Sequence, residues 1–155
     1  MKKSIIYTAI VTLLMTGCSQ EKKASFIETI PSQNSVEKTT QKLIDEIKKE
    51  GLVYYETFDH SAKAKGVNLR LPAKRVIMFG NPNFATTLMK CNASMGLDLP
   101  LRILVSSTYE GEVTMSYTNP EYWSLKHNIK DQTCLRILNK ASFALENLVD
   151  EASKK

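Results

Sequence analysis

Apolar residues recur in this chain at two periods, two and three-to-four, and each switch between them marks a new element. Phe26 to Ile30 alternates apolar and polar and predicts a short strand, which Pro31-Ser32-Gln33 breaks. Asn34 or Ser35 can cap a following helix, with Glu37 placed as a capping-box partner of Asn34. Val36, Leu43, Ile44 and Ile47 form its apolar face, and Gly51 stops it. Leu52 to Phe58 is aromatic and β-branched, a second strand; Asp59-His60-Ser61 then leads into a small Ala/Lys turn closed by Gly66. Val76 to Phe79 is a bounded apolar run, a buried strand. After Gly80-Asn81-Pro82, Asn83 can cap a short helix carrying Phe84, Leu88 and Met89. Pro100 opens a strand with Leu101, Ile103 and Val105 on one face. Glu110-Gly111 marks a hairpin turn, and Val113, Met115 and Tyr117 alternate on the return until Asn119-Pro120. From about Asp131, Cys134, Leu138, Ala141, Leu145, Leu148 and Ala152 trace a helical stripe. The order β-α-β-β-(short α)-β-β-α predicts an α+β fold, a largely antiparallel sheet with helices packed on one face.

The first residues follow a different pattern. Lys2 and Lys3 precede an apolar run from Ile5 to Met15, and Thr16-Gly17 supplies small residues before Cys18. The run is too short to span a bilayer, which takes roughly 20 apolar residues, so it reads as a signal peptide. Leu13-Leu14-Met15-Thr16-Gly17-Cys18 resembles a bacterial lipobox, with Met15 where Leu is usual. An ordinary secretory signal with an incidental cysteine is the plainer alternative. The lipobox implies cleavage before Cys18 and acylation there by diacylglyceryl and palmitate-type chains, hence a partner in membrane lipid. The expected organisation is a lipoprotein signal peptide at 1–17, a polar tether at 18–25 and a single domain at 26–155. Ser19 is not the Asp of an inner-membrane retention signal, so the expected station is the cell envelope, on the outer membrane facing the periplasm in a Gram-negative host.

Processing changes the charge. Removing residues 1–17 from 155 leaves 138, and with Lys2 and Lys3 gone, 19 basic residues face 16 acidic ones, a net of +3. The cations are scattered, without the aromatic-interleaved stripe of a nucleic-acid surface, so no nucleic-acid partner is expected. Cys91 and Cys134 remain, 43 positions apart. They form a disulfide, as an oxidising compartment permits, or stay as two buried thiols. Without a CxxC, a thioredoxin-like site has no support.

Several spaced motifs occur in one order: Asp59-His60-Ser61-Ala62-Lys63-Ala64, Phe79-Gly80-Asn81-Pro82, Leu97-Asp98-Leu99-Pro100-Leu101, Tyr117-Thr118-Asn119-Pro120, then His127. Together they resemble the DUF302 family of TT1751-like domains, from about Ser35 to Ala152. The resemblance implies a TBP-like arrangement and a possible homodimer, and no reaction, because the family's function is unknown. Lys126 stands where the family often carries Arg, and the cysteines lie outside its pattern.

The chemistry-bearing candidates are His60, Asn81, Asp98, Tyr117 and His127. His60 and His127 are the chain's two histidines, and a neighbouring carboxylate would orient either ring. With Asp98 they make a ligand or metal site; alternatively both are structural. No HxxxH or HExxH spacing supports a metal, and no cofactor is implied. Asn81 stands at a strand-to-helix turn, which either offers N–H groups to an anion or simply turns the chain. Asp98, between two leucines, caps backbone N–H groups or is a partly buried acid with a raised pKa. Tyr122 and Trp123 are placed to line a pocket mouth near His127. Ser61, Ser106 and Ser107 lack a GxSxG context. The leading expectation is a non-enzymatic envelope lipoprotein that binds a small molecule or partner in a cleft. The alternatives are a small enzyme using His60, Asp98 and His127 for acid–base or metal-assisted chemistry, and a structural dimerising module.

Overall fold

The structure is a computed structural model that describes residues 26–155; the expected signal peptide at 1–17 and the whole of the expected tether at 18–25, Cys18 included, lie outside the described residues. The alternating segments become five strands: β1 (Ile27–Ser32), β2 (Val53–Asp59), β3 (Lys74–Gly80), β4 (Leu101–Ser107) and β5 (Val113–Thr118). All pair antiparallel in the order β1-β5-β4-β3-β2. The helices are α1 (Val36–Lys49), α2 (His60–Gly66), α3 (Pro82–Cys91), α4 (Trp123–Lys126) and α5 (Gln132–Ser153). Two short 3-10 helices, Ala93–Leu97 and Pro120–Tyr122, join them. The α+β architecture read from the sequence is the one observed.

One sheet face carries the core. Ile77 and Phe79 of β3, Ile103 and Val105 of β4 and Met115 of β5 are fully buried. Against them lie Leu43 and Ile47 of α1 and Leu138, Leu145, Leu148 and Val149 of α5, in one continuous cluster. Strand side chains point alternately to opposite faces, so Val76, Met78 and Leu104 go to the other side and stay half-buried.

Four local expectations change. Pro31 does not end β1 but pairs with Thr114 inside it. β1 is an edge strand, and an edge tolerates a residue with no N–H to donate. The Ala/Lys turn is the helix α2, because Asp59 Oδ1 accepts the Ala62 N–H at 2.9 Å and caps it. α3 is capped by Asn81 rather than Asn83: Asn81 Oδ1 accepts from the N–H groups of Asn83 and Phe84 at 3.0 and 3.2 Å. Pro82 then occupies the first helical position, where its missing N–H costs nothing. Ser35 caps α1, accepting from the Lys38 N–H, while Glu37 pairs with Arg75 at 3.2 Å instead of closing a capping box.

The cysteines are joined. Cys91 ends α3 and Cys134 sits in the first turn of α5, and a disulfide links them with Cα atoms 6.7 Å apart. The buried-thiol alternative fails at Cys91, which is exposed.

Candidate functional site

The 3-10 helix Ala93–Leu97 hands the chain to β4 through Asp98 and a cis Leu99–Pro100 peptide. On the far side, α4 delivers Lys126 and His127 to the same place. His127 Nε2 lies 2.5 Å from Asp98 Oδ2. Lys126 Nζ bridges both carboxylate oxygens, at 2.9 Å from Oδ1 and 2.8 Å from Oδ2. The other ring nitrogen, Nδ1, lies 2.7 Å from Ser94 Oγ. Asn92 braces the cluster: its Nδ2 donates to the His127 carbonyl at 2.8 Å, and its Oδ1 accepts the Ser94 N–H at 2.9 Å. The His127 side chain is 2 % exposed and that of Asp98 11 %, whereas Ser94 is exposed.

Burial pushes the Asp98 carboxyl up, but the hydrogen bonds and charges of Lys126 and His127 outweigh it and hold it below the ordinary carboxylate range. Asp98 is therefore a paired carboxylate. It is neither the raised-pKa acid nor the backbone cap expected from its leucine neighbours.

Sequence reasoning gathered His60 into the same site, and the sheet separates them. His60 follows Asp59, which opposes Arg75, which opposes Val105 of β4. Asp98 precedes Leu101, at the other end of β4. The run from Leu101 to Val105 alone is about 13 Å at ~3.3 Å per residue. His60 is exposed and meets the ring of Phe58 edge-on, with centroids 4.9 Å apart. The two-histidine, one-carboxylate metal set is thus not assembled. Among the described residues the one group of three possible metal ligands is Cys91, Asp131 and Cys134, and two of these form the disulfide.

Asn81 and Tyr117 lie at the Asp98 end of the sheet, on separate walls. Asn81 caps α3 with its own side chain, so the N–H groups of Asn83 and Phe84 are already bonded, and the anion reading of that turn fails. Tyr117 is buried, and its hydroxyl pKa is pushed up to about 12, chiefly by burial and further by Glu146, Glu28 and Glu121. It faces a hollow rimmed by those acids.

Asn81 borders the most apolar depression among the described residues with a defined lining, a groove of about 80 Å³. Leu52, Tyr55, Phe84, Leu88, Trp123 and Ala141 form its walls, with Asn81 and the exposed Lys140 as its polar fringe. α3 supplies one wall, α5 the other, and the disulfide fastens the end of the first to the start of the second. Trp123 and Leu101 also line the small hollow beside Asp98. The Trp123 Nε1–H is buried with no hydrogen-bond partner, a feature that costs about 1–3 kcal/mol. Tyr122 and Trp123 were expected to share a pocket mouth near His127; Trp123 lines the groove, whereas Tyr122 lines the separate acidic hollow beside Tyr117. Ser94 and Lys140 went unread, and Lys126 and the α3 residues Phe84 and Leu88 were read without a place in a site: Ser94 sits in a 3-10 segment without periodicity, and the groove exists only once two distant helices pack.

A family model described as "Domain of unknown function DUF302" matches residues 28–151. A "Fluoride-specific ion channel FluC 1" of Brucella suis biovar 1 (strain 1330) is 33 % identical over 105 residues, which cover 68 % of this chain and 41 % of that protein. The protein of the same name from Brucella abortus biovar 1 (strain 9-941) is also 33 % identical over 105 residues, covering 68 % and 39 %. The chain thus spans about two-fifths of the length of the curated relatives it matches. A crystal structure of an uncharacterized conserved DUF302 protein from Bacillus stearothermophilus superposes with a TM-score of 0.74 at 20 % identity, over 83 % of this chain and 99 % of that one. At that identity it speaks for the fold.

Proposed function

This chain belongs to the DUF302 family, and from that premise we propose that its domain binds a single fatty-acyl chain while tethered to a membrane through Cys18. The observation that carries this is the groove between α3 and α5. Its walls are aliphatic and aromatic, and its volume is about half the ~150 Å³ known to hold benzene, so it seats a few methylenes of an alkyl chain whose remainder runs out along the surface. Lys140 at the fringe suits a carboxylate head. A few precisely placed polar groups around an apolar cleft is the usual build of a small-molecule site. Similarity to proteins named as ion channels supports a station at a membrane. No described helix of this chain is long and apolar enough to cross one, and fluoride conduction is not carried over.

Trp123 is the chain's single tryptophan, so the groove contains its own reporter. Adding dodecanoate is expected to change Trp123 emission saturably. Ala141→Phe, which fills the groove, is expected to abolish the change while leaving the far-UV CD spectrum intact. A flat titration of the folded wild-type domain, with no acyl adduct in native mass spectrometry, refutes the reading.

Anchoring has its own check. Cells fed labelled palmitate are expected to label the wild-type chain and not Cys18→Ala, and the variant is expected to leave the membrane fraction. Equal labelling of both would show that Cys18 is not the acylated residue.

A further inference from the structure

We propose that Ser94 is an activated nucleophile that takes an acyl group from small esters or thioesters. The proposal stands apart from the groove, which Ser94 does not line. The Asp98 carboxylate, 2.5 Å from Nε2, fixes the proton of the neutral imidazole on that nitrogen. Nδ1 then presents a lone pair, and the Ser94 hydroxyl, 2.7 Å away, donates to it. Nucleophile, base and orienting carboxylate are thereby in line, the arrangement that nucleophilic catalysis by a hydroxyl requires. The ring is used the other way round from the serine proteases, which leaves the tautomer logic unchanged.

The surroundings agree. His127 and Asp98 are shielded while Ser94 is open to a substrate. Asn92 holds the backbone of both Ser94 and His127, and Lys126 holds Asp98. In a 3-10 helix, residues three apart eclipse one another, so Leu97 lies on the same face as Ser94. Leu97 is 73 % exposed and offers an apolar rest for an acyl group.

The chemistry balances without any other reagent. Ser94 Oγ bonds to the carbonyl carbon as its proton passes to His127 Nδ1. The carbon–oxygen or carbon–sulfur bond to the leaving group breaks, and the departing alcohol or thiol takes that proton. Water, deprotonated by the same Nδ1, then cleaves the Ser94 ester, frees the carboxylic acid and restores the hydroxyl.

A fluorophosphonate probe tests this on the folded domain, read by intact mass and peptide mapping. One adduct per chain is expected, on the peptide carrying Ser94. Ser94→Ala is expected to remove it while the far-UV CD spectrum, recorded alongside, stays that of the folded wild type. Loss of the base in His127→Gln is expected to slow labelling by about 10²-fold or more. Asp98 is a positioning residue, so Asp98→Asn is expected to lose labelling and Asp98→Glu, which keeps a carboxylate, to recover it. A folded wild type that takes no probe, an adduct elsewhere, or a Ser94→Ala variant labelled at the wild-type rate overturns the proposal.

Discussion

Reducing the Cys91–Cys134 disulfide will lower the melting temperature by about 8–16 °C. The bond closes a 43-residue separation. In the chain-entropy account, opening a loop of that size releases about 4 kcal/mol of constraint on the unfolded chain. A domain of this size shifts by about 2–4 °C per kcal/mol. The folded state is affected as well, because the bond fastens α3 to α5. Core residues of α5 such as Leu138 and Leu145 lie on the sheet regardless, so the reduced domain is expected to fold, less stably. Circular dichroism melts with and without a dithiol would measure the shift. The Cys91→Ser/Cys134→Ser double variant should match the reduced wild type and ignore the dithiol. Melts that coincide within 2 °C would show that the bond contributes nothing to stability.

Asp98→Asn will destabilise the domain by about 2–3 kcal/mol near neutral pH. The hydrogen bond between His127 Nε2 and the carboxylate is one to a charged group, which contributes about 1.5–3 kcal/mol. The Lys126 side chain is 56 % exposed, and such solvated pairs contribute under about 1 kcal/mol. The remainder falls on His127, whose buried Nε2 loses its carboxylate. The pH dependence has a definite sign. Asp98 titrates lower in the folded protein than its unfolded value near 3.8. Its stabilisation is therefore complete above that value and lost as pH falls through the folded pKa. Urea midpoints should separate wild type and Asp98→Asn widely at pH 7 and draw together as pH falls below 3.8. Asp59 is also held low, first by the Ala62 N–H and then by Arg75, so some acid sensitivity should persist in the variant. A gap that stays constant down to pH 3 would mean that Asp98 makes no charge-dependent contribution.

Most of the fold was legible because the relevant physics is local. Alternation marked β1, β4 and β5, aromatic and β-branched composition marked β2, a bounded apolar run marked β3, and the cap at Asp131 needed only its neighbours: Oδ1 accepts the N–H groups of Thr133 and Cys134. The errors were also local, at places where two readings of one residue compete. Asp59 serves as both strand end and helix cap. Pro31 breaks a strand only where both sides of that strand are paired. The site was half legible. Asp98 and His127 stand in motifs, but their 2.5 Å contact joins residues 29 apart across the β4–β5 hairpin and two short helical turns, and no local period encodes that meeting. His60 looked equivalent to His127 because both are isolated histidines; only the strand register sends them to opposite ends of the sheet.

The strand order also sets a timetable for assembly. β4 and β5 join through a short turn, and β2, β3 and β4 are each paired with the next strand along the chain. β1 alone has a remote partner, with Ile27 opposite Thr118. Contacts between nearby residues form before those that close long loops, so β1 docks last and completes the sheet. It is also the first strand of the chain. A chain emerging amino-terminus first exposes β1 long before β5 exists, and its solitary edge must wait unpaired. Pro31, which cannot donate to a passing strand, is well placed to keep that waiting edge from pairing with a neighbour.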